Sequence, residues 1–95
     1  METIQDSAQR FLDKMSDVGY SAKNISFASA ALYNLIEAHP GGNDAPLDRD
    51  IAEKHICDIE KLMENDAVRN WTMSKNIWFI RKFLDFLITD SINAD

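Results

Sequence analysis

Apolar residues recur along this chain at steps of three and four, the spacing that lays one stripe down the side of a helix. Ile4, Ala8, Phe11, Leu12, Met15 and Val18 form the first stripe and predict an amphipathic helix over about 3–18. Gly19 is placed to end it in a left-handed conformation, and Ser21 to cap the next helix through its hydroxyl. Ile25, Ala28, Leu32, Leu35 and Ile36 carry that second helix over 22–38. His39-Pro40-Gly41-Gly42-Asn43-Asp44-Ala45-Pro46 is a cluster of helix breakers and predicts a loop. Asp48 is an N-cap candidate for a third helix over 48–66, with Ile51, His55, Ile59, Leu62 and Met63 inward. A fourth helix, capped by Thr72 or Ser74, follows over 74–90 on Ile77, Ile80, Leu84, Leu87 and Ile88. Helices joined by short links pack antiparallel, so the expected architecture is an all-α four-helix domain built from two helical hairpins.

An internal repeat supports the hairpins. At an offset of 52, Lys23-Asn24-Ile25-Ser26-Phe27 falls on Lys75-Asn76-Ile77-Trp78-Phe79, and Leu32, Leu35 and Ile36 fall on Leu84, Leu87 and Ile88, seven identities in fourteen ungapped positions. Shifted by one, Tyr20 falls on Trp71. Helix period alone produces the apolar matches, but it does not require Lys-Asn at both starts. The repeat implies an approximate twofold with an inner helix second in each hairpin. Charge agrees, because Lys23 is the one formal charge between Val18 and Ile36, and the fourth helix is apolar nearly all round.

Length and composition narrow the class. Ninety-five residues make one domain, 1–95, and 45% hydrophobic with 27% charged residues is globular rather than disordered. Three Gly and two Pro are too few for the turns of an all-β fold, and a single Cys makes no internal disulfide. No apolar run approaches the ~18 residues of a membrane span, and the N-terminus is not signal-like, so the expectation is a soluble, cytoplasmic domain without a membrane partner. The net charge of −6 weighs against wrapping nucleic acid, yet the charges are unevenly placed. Asp44 to Asp66 holds eight acids against three bases, whereas Ala67 to Leu84 holds Arg69, Lys75, Arg81 and Lys82 with no acid.

A polar helix ending in Gly19-Tyr20-Ser21, then Ser21-Ala22-Lys23-Asn24-Ile25 leading into Ala31-Leu32-Tyr33-Asn34-Leu35-Ile36, resembles the N-terminal core-binding (SAM-like) domain of tyrosine recombinases, the phage integrase family. Asn76-Ile77 through Phe83-Leu84-Asp85-Phe86-Leu87 is similar to that domain's fourth helix, and Asp48-Arg49-Asp50-Ile51 to the acidic start of its third. The resemblance covers about Ser7 to Ile92 through short, mostly apolar motifs. It implies a domain that clamps double-stranded DNA through the N-terminal parts of its second and fourth helices, beside other recombinase protomers, while a separate catalytic domain cuts. Carried over by position, the implied DNA-binding residues are Ser21, Lys23, Asn24 and Ser26, then Thr72, Ser74, Lys75 and Asn76, with Arg81 and Lys82 adding phosphate contacts. Ala28, Ser29 and Ala30 stand where the family usually exposes Arg or Lys.

The chain itself is not expected to be an enzyme: Tyr20 and Tyr33 have no Arg-His cluster near them in sequence, and the implied catalytic domain would begin near Asp95. No cofactor is expected and no metal, since His55 and Cys57, two residues apart, do not share a helix face. His55 reads as a partly buried core residue and Cys57 as a reduced structural thiol. Lys75, Trp78, Lys82 and Asp85 share a face away from the main stripe. Trp78 either packs there against the second helix or forms an exposed patch for DNA or a protein. The alternative function is a helical protein–protein interaction module that does not bind DNA.

Overall fold

Thr3 opens the first helix by accepting the Asp6 N–H on its hydroxyl at 3.1 Å, and α1 runs Ile4–Asp17. In this computed structural model, which describes residues 2–65 and 70–92, four helices follow in chain order. They are α1, α2 (Ala22–Ala38), α3 (Arg49–Asn65) and α4 (Asn70–Thr89), with one 3-10 turn at Gly42–Asp44. Among the described residues there is no strand, and the chain is an all-α four-helix domain. No described helix is long and apolar enough to cross a membrane.

Local chemistry sets most boundaries where the spacing puts them. Gly19 takes φ +96°, and Tyr20 N–H reaches back to the Met15 carbonyl while Gly19 N–H reaches Ser16, the paired bonds of a glycine-terminated helix. Ser21 accepts from Asn24 N–H at 3.2 Å and starts α2. Asp48 accepts from Asp50 N–H at 2.9 Å and starts α3. The four-residue link from Val18 to Ser21 reverses the chain, so α1 and α2 pack antiparallel. The first turn of α3 meets the second half of α4, where Arg49 and Glu53 lie beside Arg81 and Leu84, so the second pair is antiparallel too. Asp66 and Arg69, which close the acidic stretch and open the basic one, lie outside the described residues.

The fourth helix begins earlier than its proposed caps. It already runs at Asn70, so Thr72 and Ser74 sit inside it and cap nothing. No Gly or Pro interrupts Asn70 to Met73. Trp71 is held there edge-on to Phe27 of α2, with ring centroids 5.9 Å apart, and this contact rewards continuing the helix.

The core lies along α4, which touches each of the other three helices, while α2 packs on α1, α4 and α3; these are the inner pair. Phe11 meets Phe83 and Phe86 at centroid distances of 5.5 Å each, and Ile80, Leu32, Leu35 and Met15 close around them. Three stripe positions, Val18, Leu62 and Ile88, are exposed rather than inward. Val18 is exposed because it lies past the end of α1, and Ile88 because it lies on the last turn of α4 beyond the core. In α3 the fully buried positions are Ala52 and Ile56, with Ile51, His55 and Ile59 only flanking and Leu62 exposed. Ala52 and Ile56, one helical turn apart, are the buried line of α3, offset by one residue from the stripe of Ile51, His55 and Ile59. Cys57, expected to be structural, is exposed.

Two polar clusters tie the ends of the domain. Arg10 binds Glu2 through Nε (2.9 Å) and Nη2 (3.0 Å), reaches Asp90 through Nη1 at 2.6 Å, and lies 4.9 Å above the Phe86 ring. Hydrogen bonds from Arg10 and then Ser7 hold the exposed Glu2 carboxyl below its ordinary value. In the loop, buried His39 accepts the Asp48 N–H on Nε2 at 2.9 Å, so its proton sits on Nδ1, which donates to the Pro40 carbonyl at 2.9 Å. Ala45 O then accepts from Ile4 N–H at 2.8 Å and pins the loop to α1.

His55 is half-buried as the sequence implies, with its Nε2 buried and without a hydrogen-bond partner. Burial lowers its pKa from the ordinary 6.5, and nearby Asp58 offsets part of that shift. The neutral form is therefore the one the fold prefers. As pH falls below about 6.5 the unfolded chain takes up this proton first, so stability is whole above that pH and declines below it. Urea midpoints measured from pH 7.5 to 5 are expected to fall across that window, and His55→Leu is expected to flatten the slope. Loss that begins lower, as Glu2 protonates, should persist in the variant.

Candidate nucleic-acid interface

The starts of α2 and α4 converge on one groove of about 350 Å³, lined by Tyr20, Asn24, Trp71, Ser74, Lys75, Trp78 and Phe79. None of these side chains is acidic, in a chain of net charge −6. Tyr20 and Trp71, matched by the internal repeat, both line it, and Phe27 stands edge-on to Trp71. Helix period explains the α4 side: Trp71, Lys75, Trp78 and Lys82 follow at i, i+4, i+7 and i+11 and share one face.

Along that face cations alternate with rings. Lys75 Nζ lies 5.5 Å from the centroids of Trp71 and Phe27 and 5.9 Å from that of Phe79. Lys82 Nζ lies 5.2 Å from the Trp78 centroid, and Trp78 stands edge-on to Phe79 at 4.8 Å. Such contacts hold the ammonium groups against the rings without neutralising them. Trp71 is 62% exposed and Trp78 40%, so Trp78 packs on Phe79 and lines the groove beside Asn24 while part of its indole stays open to solvent.

Of the residues implied by the resemblance, Asn24, Ser74 and Lys75 meet in this groove. Ser21, Lys23 and Thr72 are exposed, and Asn76 is half-buried. Lys82 stands at the Trp78 end of the same face. Ser26 instead lines a shallow trough between α1 and α2 with Ser16, Ser29 and Tyr33, and Arg81 lies between α3 and α4 beside Glu53 and Asp85. Ser29 and Ala30 are exposed as the family comparison assumed, but Ala28 belongs to the core. Because α4 begins at Asn70, Ser74 to Asn76 lie beyond its first four residues, whose backbone N–H groups a helix leaves free. Any contact there is made by side chains. Tyr20, Trp71 and Phe79 enter the sequence reading only through the internal repeat and not as site residues, although Trp71 stands one helical turn before Lys75.

Elsewhere the surface carries little chemistry. Tyr33 is exposed, and a hydrogen bond to Glu37 pushes its phenol above the ordinary value. Among the described residues no three His, Cys, Asp or Glu side chains gather as a metal-binding group. Comparison with protein-family models, curated proteins and solved structures finds no match to this chain.

Proposed function

We propose that this chain is a DNA-binding core-binding domain of a site-specific tyrosine recombinase, holding duplex DNA through the N-terminal halves of α2 and α4. The observation that carries this reading is the groove where Asn24, Ser74 and Lys75 from the two helices meet, with no acidic side chain among its described lining residues, in a chain of net charge −6. Lys23, Lys75 and Lys82 supply charge to phosphates; Asn24, Ser74 and the exposed Ser21 and Thr72 supply hydrogen bonds to phosphate or base edges. Strand cutting belongs to the family's separate catalytic domain, with further protomers on the same DNA, in the cytoplasm.

Lys23→Glu combined with Lys75→Glu is expected to weaken a labelled duplex about tenfold or more at low salt, and to reduce the slope of log affinity on log salt by about two. The melting transition should move little, because Lys23 is exposed and the cation–π contacts of half-buried Lys75 are worth about 0.5–2 kcal/mol. Fluorescence anisotropy across a salt series checks both. A double variant that binds as tightly as the parent sinks the assignment of this face. If the parent itself ignores duplex at low salt, exposed Trp71 and Trp78 favour the alternative, a protein partner.

A further inference from the structure

The groove holds more aromatic surface than a phosphate clamp requires. Resting on the DNA reading, we infer that it receives an unpaired nucleobase, so that the domain prefers DNA with a single-stranded stretch over blunt duplex. Three observations fit that occupant. The cavity, about 350 Å³, is large enough for a flat heterocycle and opens to solvent beside two exposed indoles, Trp71 and Trp78. Lys75 lies against the Trp71 ring, and no carboxylate stands among the described lining residues, which suits a π-face followed by a phosphate rather than an acidic or neutral side chain alone. Asn24 and Ser74 place an amide and a hydroxyl at the groove, partners for the edge of a base. A paired base keeps its faces against its neighbours in the stack and offers none to Trp71. A base in a single strand does, and stacking on an aromatic side chain is a sequence-tolerant source of affinity that adds to the backbone charge.

The protein reports on this groove directly, because its two tryptophans, Trp71 and Trp78, both line it. The full chain is titrated with single-stranded oligothymidylate of about 12 nucleotides and with a blunt duplex of the same length, following indole emission and the anisotropy of labelled DNA. The single strand is expected to quench emission and to bind at least several-fold more tightly than the duplex. Trp71→Ala is expected to weaken the single strand about tenfold and the duplex less than about twofold. Its exposed position leaves the helical circular dichroism and the melting curve as checks that the variant folds. Duplex binding without quenching, or equal affinity for both forms, overturns this inference and leaves the DNA reading standing. An absence of binding to either form overturns both.

Discussion

Phe11→Ala is expected to cost about 3–5 kcal/mol of stability, the largest effect of any single truncation proposed for this domain. Phe11 is buried on α1 and touches Phe83 and Phe86 at 5.5 Å each, so its loss removes two aromatic pairs and leaves a void facing α4. The surrounding helices do not collapse freely into that space, because α4 is held from its other sides by α2 and α3. Domains of this size have roughly 5–15 kcal/mol in total, so the variant should melt about 15–30 °C lower or lose its cooperative transition. Phe11→Leu keeps much of the volume and should cost about 1–2 kcal/mol. Tyr33→Ala, at an exposed position on α2, should change stability by less than about 0.5 kcal/mol. Urea denaturation of the three variants checks the order, and a mild Phe11→Ala would mean that the aromatic cluster is not the centre of the core.

His39→Ala is expected to be the second most damaging change, at about 2–3 kcal/mol, although a loop position beside Pro40 looks dispensable. The buried ring joins the end of α2 to the start of α3, accepting the Asp48 N–H and donating to the Pro40 carbonyl. Alanine leaves that N–H and that carbonyl without their partners and opens space under the loop. Because Ala45 O holds Ile4 N–H, loosening the loop should also reach the start of α1. Amide exchange should accelerate at Asp48 and Ile4 before it does at core residues of α4, with His39→Gln recovering part of the loss. Unchanged exchange at Ile4 would show that the loop and α1 are not coupled through this residue.

The two histidines illustrate how far side-chain roles can be read from the chain. His55 sits on a helical stripe, so its partial burial followed from spacing. His39 follows the last residue of α2 and precedes a breaker cluster, where no periodicity operates. Its burial depends on the loop folding back so that Asp48, nine residues on, presents its N–H. The groove divides the same way. Asn24, Ser74 and Lys75 are legible in the chain, but Tyr20 and Phe79 join them only because the start of α2 meets the N-terminal half of α4. Ser26, a short step from Asn24 in sequence, points to α1 instead, since two residues turn a helix by about 200°.

By itself, the sequence determined four helices, the glycine-ended turn at Gly19, the caps at Ser21 and Asp48, and the inner placement of α2 and α4. These are local or pattern properties, set by φ at one glycine, by hydroxyl and carboxylate acceptors, and by the 3.6-residue period. Tertiary structure alone decided that α3 turns Ala52 and Ile56 inward, that α4 begins at Asn70 against Phe27, and which faces of the nearly all-apolar α4 are buried. When apolar residues surround a helix, periodicity does not choose a direction. The choice falls to the packing among neighbours, as where Trp71 stands edge-on to Phe27.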